Sequence, residues 1–428
     1  MATKATEPAA IVTAGKVAET VPSPPQARGM WAALRIRDYR YLWIGLIISS
    51  NGMWMQMVAQ GYLVYEMTRS PAALGLVGLA RAVPVLVLSL FAGVAADRID
   101  RRKLLLVTQS LAGMFSLILA VLTSTGQIQV WMIFALAFCT ASVMSFDNPT
   151  RQALIPDLVG REYMANAIAL NSTAFSASQV LGPAVAGVIL ATTSVAACFY
   201  LNAVSYIAII VALLAMRPTP MKGRRGTGSV LHNLVAGFAY VRKNAVVGAF
   251  LVQIGVLCLL NRSSSQLLPA VQRDVLHVGA DGLGALNAAT GIGALIMALV
   301  GARLSGFRHR GWLVIGAFTA ASLALIGLAF SRSFPLSCVL LAIIGGGGVM
   351  TMSVSNMIVQ GRIPDELRGR VMGIWTMLIM GGMPLGAMLL GTVASFVGIT
   401  TAFALGGAAC LLCLVVINVR VPAVREQA

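Results

Sequence analysis

Twelve long apolar runs dominate this sequence, at roughly 41–66, 72–94, 104–125, 129–148, 165–191, 196–216, 246–269, 282–303, 311–331, 335–358, 371–397 and 400–419. A helix of about 20 apolar residues crosses the hydrocarbon core of a bilayer. Such runs can only be helices, because lipid leaves every backbone N–H and C=O to be satisfied within the segment, and strands of a membrane barrel would alternate polar and apolar residues. With 58% hydrophobic and 11% charged residues, the chain has too little polar surface for a water-soluble domain. The expected class is an all-α membrane protein whose solvent and constant partner is the lipid bilayer.

The charges give the topology. Cytoplasmic loops carry the surplus of Lys and Arg. Of the 31 basic residues, 26 fall before the first run, after even-numbered runs or after the last, in clusters such as Arg98, Arg101, Arg102, Lys103 and Arg217, Lys222, Arg224, Arg225. The opposite loops hold Arg69, Arg273 and Arg332, and Arg81 and Arg262 lie within runs. Both termini are therefore expected in the cytoplasm. The net charge of +17 is spread between membrane segments rather than gathered on one soluble face, which excludes a nucleic-acid partner.

The longest internal connection, 217–245, divides the runs six and six. The expected organisation is a disordered cytoplasmic tail (1–30), an N-terminal six-helix half (31–216), a cytoplasmic linker (217–245), a C-terminal six-helix half (246–420) and a short tail (421–428). Within the linker, Val230, Leu231, Leu234, Val235, Phe238 and Val241 recur at helical spacing, the pattern of a helix lying on the membrane surface. The halves read as a duplication. Gln152-Ala153-Leu154-Ile155-Pro156-Asp157 follows run four as Gln360-Gly361-Arg362-Ile363-Pro364-Asp365 follows run ten, and Gly182-Pro183 in run five has a counterpart in Gly382-Met383-Pro384 of run eleven. Two six-helix repeats with a site between them form a transporter plan.

Catalytic chemistry is not visible. The six cysteines sit inside apolar runs without paired spacing, the three histidines are scattered, and no GxxxxGK[ST] nucleotide loop occurs. An enzyme, a metal site and a cofactor are not expected; a small-molecule substrate is. Charges and amides at membrane depth face a cavity, a partner or a pathway. Arg81, near the middle of run two, is placed to attract an anionic substrate. Arg262 is read either as a second substrate contact or as a side chain snorkelling from a helix end about seven residues away. Asn51, Gln56, Gln60, Asn171, Gln179, Asn261 and Asn356 are candidates for the cavity wall or for bonds between helices. Glu66 and Asp147 are the carboxylates closest to the hydrocarbon and thus the candidates for carrying a coupling proton. The glycine run Gly345–Gly348 suggests close helix packing or a hinge, as do Gly182 and Pro183, with packing the preferred reading.

These residues resemble the major facilitator superfamily, in particular its bacterial branch similar to the enterobactin exporter. Gly93-Val94-Ala95-Ala96-Asp97-Arg98-Ile99-Asp100-Arg101-Arg102-Lys103 is similar to the superfamily's signature loop between helices two and three, with Asp100 where the pattern has glycine. Leu34–Arg40, Arg69-Ser70-Pro71 and Asn166–Ser172 are similar to the same branch, and Gly182-Pro183-Ala184-Val185-Ala186-Gly187 to the helix-five motif of antiporters, less several upstream glycines. The resemblance implies the major facilitator fold and a monomeric secondary transporter of the bacterial inner membrane. It also implies export of siderophore-like or drug-like molecules with a proton as counter-ion; uptake and a sensor role are the alternatives. It further implies that Asp97 meets the start of helix eleven near Arg370 and Val371, and that Asp147 pairs with a basic residue such as Arg101, together closing the cytoplasmic side.

Overall fold

The computed structural model describes residues 31–217, 238–304 and 309–425. Twelve helices among them are long and apolar enough to cross a membrane: α1 (Arg37–Thr68), α2 (Pro71–Arg98), α3 (Arg101–Ser124), α4 (Val130–Gly160), α5 (Glu162–Thr192), α6 (Val195–Ala215), α7 (Ala245–Val275), α8 (Ala280–Arg303), α9 (Arg310–Phe330), α10 (Phe334–Arg362), α11 (Asp365–Val397) and α12 (Ile399–Arg420). No strand occurs among the described residues. The expected tail at 1–30 and most of the expected surface helix lie outside the described residues, of which 238–243 are helical.

Several helices run past the apolar stretches that announced them. At 32 residues α1 is about 48 Å long, well beyond the roughly 30 Å of hydrocarbon, so its ends stand among headgroups and water. Helix α4 continues from the expected end at residue 148 to Gly160, through Pro149 and Pro156. Its last turns carry Arg151 and Asp157, which hydropathy alone cannot register as helix. Gly160 (φ 68°, ψ −179°) is the single non-helical residue between α4 and α5, in a backbone region open essentially to glycine alone.

Helix ends are capped by local chemistry. Asp100, the departure from the signature pattern, accepts the Lys103 N–H at 3.1 Å and so caps α3. Arg69 adopts a left-handed conformation after α1 and returns its N–H to the Tyr65 carbonyl, and Pro71 then opens α2. Arg102 donates to the Leu213 and Leu214 carbonyls, at 2.6 and 2.8 Å, at the end of α6.

Two segments singled out in the sequence meet here. The Ala33 N–H, the Tyr39 hydroxyl and the Trp43 indole N–H donate to Asn166 Oδ1, the Ala167 carbonyl and the Leu170 carbonyl at 2.8, 2.9 and 3.1 Å. Leu34–Arg40 and Asn166–Ser172 thus form one clasp between the start of α1 and the start of α5.

The halves repeat their packing: α1 on α5, α3 on α4 and α3 on α6 recur as α7 on α11, α9 on α10 and α9 on α12. A matched detail marks the duplication. Gln152 donates to Asn148 at 3.1 Å in α4, and Gln360 donates to Asn356 at 2.6 Å at the same place in α10.

Six helix pairs are joined at one face of the bundle, the hairpin face; the other, terminal face carries the ends of the described chain. At the hairpin face one hydrophobic core runs through all twelve helices, including Val64, Leu74, Phe199, Leu267, Leu283, Leu390 and Phe403. At the terminal face the described residues form two further clusters, one built by the first half around Tyr39, Leu105, Leu154 and Leu213, and one by the second around Phe250, Phe318, Val359 and Leu414. The halves meet near the hairpin face with almost no side chain between them. A Cβ on Gly187 of α5 would lie 2.5 Å from the Gly284 Cα of α8, and one on Gly75 of α2 would lie 2.5 Å from the Met388 Cα of α11.

Replacing Gly160 with valine forces a β-branched residue into that glycine-only conformation at a cost of about 1–3 kcal/mol. Thermal unfolding of the purified protein should show a drop of several degrees for Gly160→Val, whereas an unchanged midpoint would mean that the α4–α5 corner relaxes without cost.

Candidate functional site

A cavity opens between the halves beneath the joined core, with about 120 Å³ of space accessible to the centres of water molecules. Its walls come from α1 (Trp54, Met57, Val58, Gly61), α2 (Leu74, Val77, Arg81), α5 (Gln179, Pro183), α7 (Arg262, Ser265, Gln266, Pro269), α8 (Leu283, Asn287, Thr290, Gly291, Ala294), α10 (Gly345) and α11 (Met383). Among the described residues no wall position is a carboxylate.

Of the nine residues expected at the cavity, Arg81, Gln179 and Arg262 line it. Gln60 stands behind Arg81: its Oε1 accepts from the guanidinium and its Nε2 donates to the Ile133 carbonyl at 3.3 Å, so it braces the arginine. The others form no part of this wall. Asn51 donates to Ser178 at 3.1 Å and ties α1 to α5; Gln56 accepts from Ser116 and Asn202 at 2.7 and 2.6 Å inside the first half; Asn261 donates to the Ala321 carbonyl at 3.0 Å; Asn356 holds Gln360; Asn171 is half-buried elsewhere on α5. These bonds satisfy amide groups where water is scarce, although Asn261 Oδ1 is buried without a hydrogen-bond partner among the described residues.

Arg262 does not snorkel from a nearby helix end. Helix α7 runs on to Val275 because its later part is irregular: π turns at Leu257–Asn261 and Val271–Val275 flank a 3-10 stretch, Arg262–Leu267. That irregular stretch brings Arg262, Ser265, Gln266 and Pro269 to the cavity, and sequence periodicity alone had no signal for it. Asn287 and Thr290, three residues apart on α8, were legible as polar residues in an apolar run, yet nothing in the sequence separated wall from helix contact. The glycines of α10 make close packing. A Cβ on Gly347 would sit 2.6 Å from the Ala317 carbonyl oxygen of α9, and one on Gly348 3.3 Å from Arg262 Nη1. In the helix-five motif, a Cβ on Gly182 would sit 2.6 Å from Trp54 Cβ, and Pro183 reaches the cavity.

Between the cavity and the hairpin face the halves are joined by polar contacts that the sequence did not announce. Glu66 of α1 forms an ion pair with Arg273 at the end of α7, and lies 3.8 Å from Arg69. Beside it the buried Tyr65 hydroxyl donates to Asp274. Arg273 had been placed in a loop, and Asp274 had no role assigned to it.

At the terminal face the expected pairing is rearranged. Arg101 forms its ion pair with Asp157 and donates to the Ala153 carbonyl at 2.9 Å, while Asp147 accepts from Gln109 at 2.5 Å and lies 3.5 Å from Arg151, one turn along its own helix. Asp147 is 3% exposed and belongs to the interior of the first half, not to the junction between halves. Extension of α4 past residue 148 is the cause, since it brings Arg151 and Asp157 onto the helix. Gly93, Asp97 and Arg98 close α2, but the surroundings of the Asp97 and Arg98 side chains lie outside the described residues, and with them the expected contact to Arg370 and Val371.

Helices of both halves around a shared cavity agree with what sequence comparison finds: the model of the transmembrane secretion effectors, a family of the major facilitator superfamily, matches residues 28–428. The chain belongs to that family. Among curated relatives, the staphyloferrin A transporter of Staphylococcus aureus is 25% identical over 86% of this chain and 92% of its own length. The enterobactin exporter EntS of Escherichia coli O1:K1 is 26% identical over 82% and 84%, and the multidrug efflux pump Tap of Mycolicibacterium fortuitum 26% over 89% and 94%. Among solved structures, the nucleoside transporter NupG superposes with a TM-score of 0.71 at 13% identity, covering 90% of this chain and 98% of that one, and shows the same fold. This major facilitator protein is a multi-pass membrane transporter.

The Glu66 and Arg273 side chains are 29% and 31% exposed, so their pairing is screened and modest. A double-mutant cycle of Glu66→Gln and Arg273→Gln, read by thermal unfolding, should give a coupling of about 0.2–1 kcal/mol. Strictly additive losses would show that the pair does not join the halves.

Proposed function

We propose that this protein is a secondary active exporter of siderophore-like or amphiphilic drug-like small molecules, working as a monomer by alternating access with a proton as counter-ion. In this reading it sits in the bacterial inner membrane with its terminal face in the cytoplasm. The observation that carries the reading is the cavity lined by both halves just beneath the hairpin-face core that joins them, with the described residues of the terminal face clustering half by half. A cavity placed between two rigid halves changes sides when the halves rock. The basic residues clustered on terminal-face connections support the orientation. In that orientation an outgoing substrate is loaded through the terminal face, and export is the direction named for EntS and Tap.

Glu66 is the better placed of the two coupling candidates. Its ion pair with Arg273 spans the halves on the side that must open for release, whereas Asp147 lies inside one half. A proton arriving from outside neutralises the Glu66 carboxylate and removes its attraction for Arg273. Opening for release and loading of the counter-ion are then one event.

Inverted membrane vesicles, acidified inside and carrying a pH-sensitive dye, test this reading with a panel of siderophores and hydrophobic drugs. Addition of a transported compound should release protons from the vesicles, and Glu66→Gln should abolish the release while the protein remains folded in the membrane. Accumulation without proton release would replace the coupling ion, and transport only in right-side-out vesicles would replace export with uptake.

A further inference from the structure

Most carboxylates among the described residues stand beside a partner. Among the described residues Glu66 meets Arg273, Asp157 meets Arg101, Asp147 meets Arg151 and Asp38 meets Arg37. The two arginines of the central cavity have no carboxylate to meet. The Arg81 guanidinium has the neutral Gln60 amide as its side-chain partner, and the Arg262 guanidinium has no hydrogen bond or ion pair among the described residues. Both are half-buried and line one cavity that bears no carboxylate. Guanidinium stays protonated in any protein environment, so neither charge can be relieved by losing a proton, as a lysine's can. Two unmatched cations held at membrane depth are costly unless something anionic visits.

The two belong to opposite halves, Arg81 to α2 and Arg262 to α7. Arg81 is held in place. Gln60, itself anchored on the Ile133 carbonyl, braces Arg81. Gly348 leaves room beside Arg262, since a Cβ there would already lie 3.3 Å from Nη1. Around them Trp54, Met57, Val77 and Met383 offer apolar surface, and Gln179, Gln266 and Asn287 neutral polar groups.

We infer that Arg81 and Arg262 form a clamp for the carboxylate of an anionic amphiphile, with the apolar body of the ligand against Trp54 and the methionines. This rests on the reading of the cavity as the transport site and narrows its substrates to molecules carrying a carboxylate. A carboxylate presents two oxygens and up to four acceptor positions, enough to accept from both guanidinium groups. Because one arginine moves with each half, the bound anion draws the halves together, and rocking that separates the arginines weakens its hold.

The test uses the full-length protein in lipid nanodiscs and two dyes, fluorescein and fluorescein methyl ester, which differ in whether the carboxylate is free. Binding is read by dye anisotropy for the native protein, Arg81→Gln, Arg262→Gln and Arg262→Lys. The native protein should bind the acid about tenfold or more tightly than the ester. Each glutamine variant should lose about tenfold or more of its affinity for the acid while its affinity for the ester stays within about threefold, which also reports an intact cavity. Arg262→Lys should keep part of the preference. Equal binding of the two dyes, binding of neither, or an acid preference that survives both glutamine substitutions would overturn the clamp. The same dyes offered to inverted vesicles separate this inference from the export reading. Arginine-dependent binding without accumulation leaves the clamp and removes export, whereas accumulation of acid and ester alike, untouched by the substitutions, leaves export and removes the clamp.

Discussion

Near the hairpin face the backbones of the two halves touch at Gly187 against Gly284 and at Gly75 against Met388, where a Cβ would have no room. In lipid this contact has a special weight. Side chains facing the bilayer gain nothing by leaving it, because the lipid tails are as apolar as they are, so helices hold together through dispersion at short range and through interhelical hydrogen bonds. Dispersion falls steeply with distance, and glycine allows the closest approach two helices can make. The joined core at the hairpin face therefore depends on a few residues without side chains.

The polar residues fall into groups with different duties. Inside the first half, Asp147, Gln109 and Arg151, or Gln56, Ser116 and Asn202, bond one another and stay within the bundle. At the edges, Arg102, Asp100 and Asn166 satisfy backbone groups that helix ends leave open. The pairs Glu66 with Arg273 and Tyr65 with Asp274 join the halves through charged groups, and the first of these is partly open to solvent. A contact of that strength suits a junction that must part and re-form. The buried apolar and glycine contacts beside it supply the larger share of the cohesion at that face.

Much of this architecture was legible in the sequence. Twelve spans, the division six and six, and the repeat of Gln152–Asp157 in Gln360–Asp365 rest on composition and periodicity, which a membrane enforces strictly. Arg81 was legible as a cavity residue because a charge ten residues into a helix has no surface to reach. Less could be read where geometry departs from the regular helix. The irregular course of α7 carried Arg262, Gln266 and Arg273 to places that a 3.6-residue period does not give. The partner of Arg101 was misjudged because α4 outlasts its apolar stretch, and hydropathy marks the edge of the lipid rather than the end of a helix. Asn51, Gln56 and Asn261 show the remaining ambiguity: an amide in an apolar run looks the same whether it faces a cavity or a neighbouring helix.

The corner at Gly160 has a mechanical meaning. Helix α4 passes into α5 through a single residue in a conformation open essentially to glycine, as α11 passes into α12 at Gly398 (φ 84°). So short a joint keeps the two helix ends together whatever angle they take. Helix α5 presses on α8 through Gly187 and on α1 through Gly182, so any displacement where the halves meet travels down α5 and turns the corner into α4. The two helices behave as one bent lever with its elbow at the terminal face. The Asp147 and Arg151 pair and the Arg101 and Asp157 pair, all close to that elbow on α4 or clasped to it, must ride with whatever happens at the opposite face.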